Sequence, residues 1–114
     1  MPAESDEAGE FRHGPIELAG PDLAAVVVAT EPSTVALDLA LADELVKAGA
    51  AVVVISADGA GPDGAMRIAV GDHARTMAAA VAAAPLQLLA WRLAVRAGRE
   101  PGVMLRGAKV TRRE

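Results

Sequence analysis

Apolar positions along this chain fall into two kinds of run, which alternate. Residues 23–30, LAAVVVAT, form a continuous β-branched run, the pattern of a strand covered on both faces in a parallel sheet. Residues 51–56, AVVVIS, repeat that pattern, and residues 66–70, MRIAV, read as a shorter third strand. Between the first two runs lies TVALDLALADELVKAG. There Leu37, Leu41 and Leu45 recur at i, i+4 and i+8 with Ala40 and Ala48 beside them, while Asp38, Asp43, Glu44 and Lys47 face elsewhere. This spacing predicts an amphipathic helix with a buried leucine stripe. Ser33 or Thr34 is placed to cap its start by accepting a backbone N–H, and Gly49 is placed to end it.

Residues 76–97 are helical in composition, with Pro85 inside the run. Proline removes a helix hydrogen bond, so a kink or break is expected, with Pro85 opening the second part. That part carries two apolar stripes, Leu86, Leu89 and Leu93 beside Leu88, Trp91 and Val95, which predicts a helix buried on two sides and ended by Gly98. Residues 1–22 carry two Gly-Pro turns and no long periodic run, and residues 99–114 form a tail with a basic finish. The resulting order, β-α-β-β-α-tail, is an α/β pattern built on a βαβ unit with a right-handed crossover. Parallel pairing is expected for the third strand as well, although the nine residues 57–65 make a short return. Three strands and two long helices are too few to cover both faces of a doubly wound sheet. The chain is therefore expected to associate through an open edge or face, or to be part of a larger domain.

Composition narrows the chemistry. The 114 residues suit one domain, and 53% hydrophobic with 23% charged residues is a globular balance. There are no cysteines, so disulfides, thiol nucleophiles and Cys-bound metals are excluded; this fits a cytoplasmic protein. A net charge of −4 argues against nucleic-acid binding, and one Phe, one Trp and no Tyr offer no stacking platform. The acidic start, MPAESDEAGE, has no apolar signal-type region, and the long Ala/Leu-rich run, interrupted by Pro85, Arg92 and Arg96, reads as a buried helix and not as a membrane span.

Four features are candidates for chemistry. GAGPDG (59–64) has the G-x-G-x-x-G spacing, but a strand follows it instead of a helix, so no amide cluster would hold a pyrophosphate and a surface loop is the simpler reading. TEPST (30–34) places hydroxyls at a strand end and a helix start, either as an anion site or as simple capping. His13 and His73 lie far apart without ligand spacing, so neither a metal nor a cofactor is expected, and His73 reads as solvated in a turn. His13 sits beside a stiff Gly14-Pro15 turn and can either pass protons or serve as a structural residue. Lys109, alone among small and apolar residues in LRGAKVT, can either form a Schiff base with a carbonyl or be solvated.

Three segments carry a resemblance. AGEFRHGP (8–15) resembles the A-G-E-[LF]-[KR]-H-G-P motif of sugar-isomerase (SIS) domain proteins, PLQLLAW (85–91) resembles their P-L-Q-L-L-A-Y helix, and LRGAKVT (105–111) resembles their closing segment. The match is to the C-terminal part of the isomerase half of glutamine–fructose-6-phosphate aminotransferase and its deglycase and isomerase relatives, over essentially the whole chain. It implies a partial SIS, flavodoxin-like three-layer fold: a His-bearing loop at 1–22, an α/β core at 23–98 and a catalytic-type tail at 99–114. It also implies an aldose–ketose sugar-phosphate isomerase in which His13 helps open the sugar ring of a neighbouring subunit and Lys109 engages the ketose carbonyl. The implied partners are a sugar phosphate and either further copies of the chain or a missing N-terminal half. The family's general-base glutamate and phosphate-holding loops have no counterpart in this sequence, and the stretch MLRG departs from the family's Pro-Arg. The isolated chain is accordingly expected to be inactive. The alternative reading is a non-catalytic SIS-type carbohydrate-binding or oligomerisation module.

Overall fold

The computed structural model describes residues 4–101. The chain divides into two compact units, Met1–Ala82 and Ala83–Glu114. The first opens with a short helix α1 (Ala8–Arg12) and a 3-10 turn (Pro15–Leu18). Strand β1 (Ala24–Ala29), helix α2 (Val35–Lys47), strand β2 (Ala51–Ser56) and strand β3 (Met66–Ala69) follow. Helix α3 (Arg75–Arg96) begins in the first unit and runs into the second.

The sheet is parallel throughout, in the order β1-β2-β3, with Val27 beside Val54 and Ile55 beside Ile68. An α/β architecture with a small parallel sheet is therefore established. The short return from β2 to β3 works because β3 begins alongside Val53, so residues 57–65 retrace only part of β2. Ser56 Oγ, buried, donates to the Ala60 carbonyl at 3.0 Å, and the Asp58 carboxylate accepts the Ala60 N–H at 2.9 Å. Gly64 has φ +92°, a conformation that L side chains adopt only under strain. The glycines of GAGPDG thus serve a turn, and a strand follows them.

Side-chain alternation explains the core. Val27 and Ala29 of β1 and Val52 and Val54 of β2 share one face and meet Leu41, Ala42 and Leu45 of α2. Phe11, Ile16 and Leu23 pack against this cluster, so the segment expected as a His-bearing loop is an anchored helix and turn. Two expectations about this core fail. Leu37 is 52% exposed, and Ala40 and Ala48 are exposed too; Ala42 takes their place, because the face that meets the sheet is rotated toward Leu41, Ala42 and Leu45. Strand β1 is covered on one face only, since Val26 and Val28 on the opposite face are 37% and 39% exposed. Strand β2 is central, and at its end Val54, Ile55 and Ser56 are consecutively buried. The two-faced pattern is a property of β2 alone.

Helix α3 departs from expectation in two ways. It runs continuously through Pro85 as a 22-residue helix, although the missing N–H leaves the Val81 carbonyl without its helical donor; the boundary between the two compact units falls three residues earlier, at Ala82. Its second half is not buried: Leu88, Leu89, Trp91, Leu93 and Val95 are all exposed. By length and composition α3 would be able to cross a membrane, and only 6% of its most apolar window is buried.

Candidate functional site

In parallel α/β sheets the carboxyl ends of the strands are where loops and helix starts converge. Here that edge holds a cavity of about 380 Å³ lined by Ala29, Thr30, Pro32, Val35, Ala57, Asp58 and Asp72. Thr30 and Val35 come from the β1–α2 turn, Asp58 from the loop after β2, and Asp72 from the loop after β3.

The hydroxyls of Ser33 and Thr34 in TEPST are engaged by carboxylates of the chain itself. Thr34 takes the N-cap position of α2 without a side-chain cap hydrogen bond; its Oγ1 donates to Asp38 Oδ2 at 2.9 Å instead. Ser33 Oγ donates to Glu31 Oε1 at 3.2 Å. The capping expectation is corrected: Thr34 Oγ1 accepts no helix N–H, and both hydroxyls are turned toward carboxylates, one helical turn on for Thr34 and two residues back for Ser33. The Glu31 carbonyl accepts from Thr34 N and Val35 N, so the first amides of the helix are engaged. Asp58 and Asp72 line this edge, and Glu31 and Asp38 belong to the adjoining β1–α2 turn and first turn of α2, with Arg75 Nε at 3.1 Å from Glu31 as a partial counterweight. Such a field disfavours a phosphate.

His13 lies elsewhere. It ends α1 as its C-cap residue, its backbone N–H donates to the Glu10 carbonyl at 3.0 Å, and its side chain is exposed. Among the described residues its ring makes no hydrogen bond. The neighbouring Arg12 Nη2 lies 3.0 Å from Glu44 Oε1, near the C-terminal end of α2. The strand-end cavity lies at the opposite end of that helix, beside Val35; nine helical residues span about 14 Å. The first unit thus keeps His13 and the cavity apart. Lys109 lies outside the described residues. His73 is exposed, as expected, but its Nε2 lies 2.8 Å from the Val70 carbonyl, so the ring is tethered to its own turn. No group of three or more His, Cys, Asp or Glu with metal-holding geometry occurs among the described residues.

No protein-family model matches this chain, and no curated protein matches it.

Sequence reasoning passed over Asp58 and Asp72. Both follow strands directly at their carboxyl ends, and that position was the available signal once the strands were taken as parallel. The Arg12–Glu44 pair carried no such signal, because only the packing of α1 on α2 brings the two residues together.

Proposed function

We propose that the chain is the C-terminal segment of a SIS-type sugar-phosphate aldose–ketose isomerase, with a flavodoxin-like subdomain, acting in the cytoplasm and in company with further copies or a missing N-terminal half. The observation that carries the reading is His13: the AGEFRHGP run folds as a short helix that ends at an exposed imidazole held outside its own strand-end cavity. A histidine so presented is suited to act on a sugar bound by another subunit, moving a proton to or from the ring oxygen as the ring opens. Lys109 then engages the carbonyl of the opened ketose. The base that carries the proton between C1 and C2 and the loops that hold the phosphate come from outside this sequence, so the isolated chain meets the sugar only through His13 and Lys109 and does not turn it over.

The test is NMR titration of the purified chain with fructose 6-phosphate and with glucosamine 6-phosphate, reading the two imidazoles. The expected result is a saturable shift of the His13 ring with the His73 ring unmoved, weakened in a Lys109→Ala variant. Two imidazoles that stay fixed, or move together, up to 10 mM (about the range of a 3 kcal/mol interaction) would remove the reading.

A further inference from the structure

The connector between β2 and β3 carries both Asp-Gly steps of the chain, Asp58-Gly59 and Asp63-Gly64. An Asp-Gly step is a chemical weak point, because no Cβ on the glycine obstructs its amide nitrogen from reaching the preceding carboxyl carbon. The two steps are held differently. The Asp58 carboxylate accepts the Ala60 N–H at 2.9 Å, which fixes it in a local turn of its own. The Asp63 carboxylate has no hydrogen-bond or ion-pair partner among the described residues, and Asp63 and Gly64 are both exposed. Their turn is closed by the Ala65 N–H donating to the Pro62 carbonyl at 3.3 Å, with Gly64 at φ +92° as its third residue, as a type II turn requires. The Gly64 N–H itself donates to no group among the described residues.

We propose that Asp63-Gly64 is a site of spontaneous aspartate isomerisation, that Asp58-Gly59 is held against the same reaction, and that the product loosens β3. The Gly64 nitrogen attacks Cγ of the protonated Asp63 carboxyl. A C–N bond forms, the nitrogen gives up its proton and one water leaves, which closes a five-membered succinimide. Water then adds back to one of the two ring carbonyls. Opening at Cγ restores aspartate; opening at the main-chain carbonyl leaves Gly64 bonded to Cγ as isoaspartate. Water is the sole co-reactant, and the composition is unchanged. The isomer routes the main chain through Cβ and Cγ, so the turn gains a methylene. That turn has little room: a Cβ at Gly64 would already stand 3.0 Å from Val46 Cγ1 of α2, and Met66, two residues on, pairs with Val53. Strand β3 is a four-residue edge strand bonded in the sheet to β2 alone, so a longer turn displaces its start first. The chain has no asparagine, so any isoaspartate in it comes from aspartate.

The test is ageing of the full chain for several weeks at neutral pH and physiological temperature, followed by peptide mapping with electron-transfer fragmentation, which locates isoaspartate by position. Isoaspartate at residue 63 is expected to exceed that at residue 58 severalfold. In concentrated urea, where no turn holds Asp58, the two positions should accumulate comparable amounts. Asp63→Glu, whose longer side chain closes the ring far less readily, should abolish the signal at that position with circular dichroism unchanged. In the aged fraction, amide hydrogen exchange across Met66–Ala69 should rise severalfold while that of Leu41–Leu45 stays as in fresh protein. Equal amounts at the two positions in the folded chain, or more at residue 58, would overturn the assignment. So would an aged chain with no more isoaspartate at residue 63 than the fresh one. Unchanged exchange across Met66–Ala69 in the isomerised fraction would overturn the coupling to β3.

Discussion

Arg12 Nη2 and Glu44 Oε1 lie 3.0 Å apart, and this pair ties the helix that ends at His13 to the far end of α2. Both side chains are about a third or more exposed, so the pair contributes at most about 1 kcal/mol to stability. Its role is placement. Glu44→Gln is expected to leave the urea midpoint nearly unchanged yet to raise amide hydrogen exchange across residues 8–13 severalfold. Unchanged exchange there would mean that Phe11 packing alone holds the segment.

Leu45 and Leu37 separate the buried helix face from the sequence stripe. Leu45 is 2% exposed within the α2–sheet core, whereas Leu37 is largely in solvent. Leu45→Ala should cost about 2–5 kcal/mol in urea unfolding, and Leu37→Ala about 0.5 or less. Equal losses at the two positions would show that Leu37 is covered in solution.

Gly64 offers a backbone test. At φ +92° a Cβ would be strained and would stand 3.0 Å from Val46 Cγ1. Gly64→Ala should destabilise by about 1–3 kcal/mol, while Gly20→Ala, where a Cβ meets nothing within 4 Å, should stay close to wild type. Thermal melts of the two variants give the comparison.

The acidic strand-end cavity should ignore anions. Inorganic phosphate at 10 mM (a concentration that reveals about 3 kcal/mol of affinity) is expected to leave the amides of residues 30–35 unshifted by NMR. Saturable shifts confined to these amides would restore the anion reading of TEPST.

Lys47 donates to Asp43 one turn back, and this hydrogen bond raises its pKa above the ordinary 10.5, with the Asp43 charge adding to the effect. A raised ammonium pKa stabilises the fold fully below the unfolded value, and the contribution is lost as pH rises through the folded value. The difference in melting temperature between wild type and Lys47→Gln should therefore be small but present at pH 7–10 and vanish at higher pH. Lys47 is exposed and Asp43 half-buried, so the effect is small, and a difference that grows above pH 11 (beyond the ordinary lysine range) would contradict this assignment.

The sequence by itself determined the order and type of the main elements. Strands at 24–29, 51–56 and 66–69 and the helix at 35–47 are legible because their periodicities are local and their ends are marked by Gly49 and by polar turns. The tertiary structure decided which faces are covered. Val26 and Val52 are both valines in β-branched runs, yet one is open and the other buried, because β2 is the central strand and β1 has α2 on one face only. It decided that α1 exists at all: five residues cannot hold a helix by propensity, and Phe11 packing on the core supplies what the local sequence lacks. It placed His13 and the strand-end carboxylates at opposite ends of α2, since the distance between residues far apart in sequence is set by packing and not by any pattern along the chain.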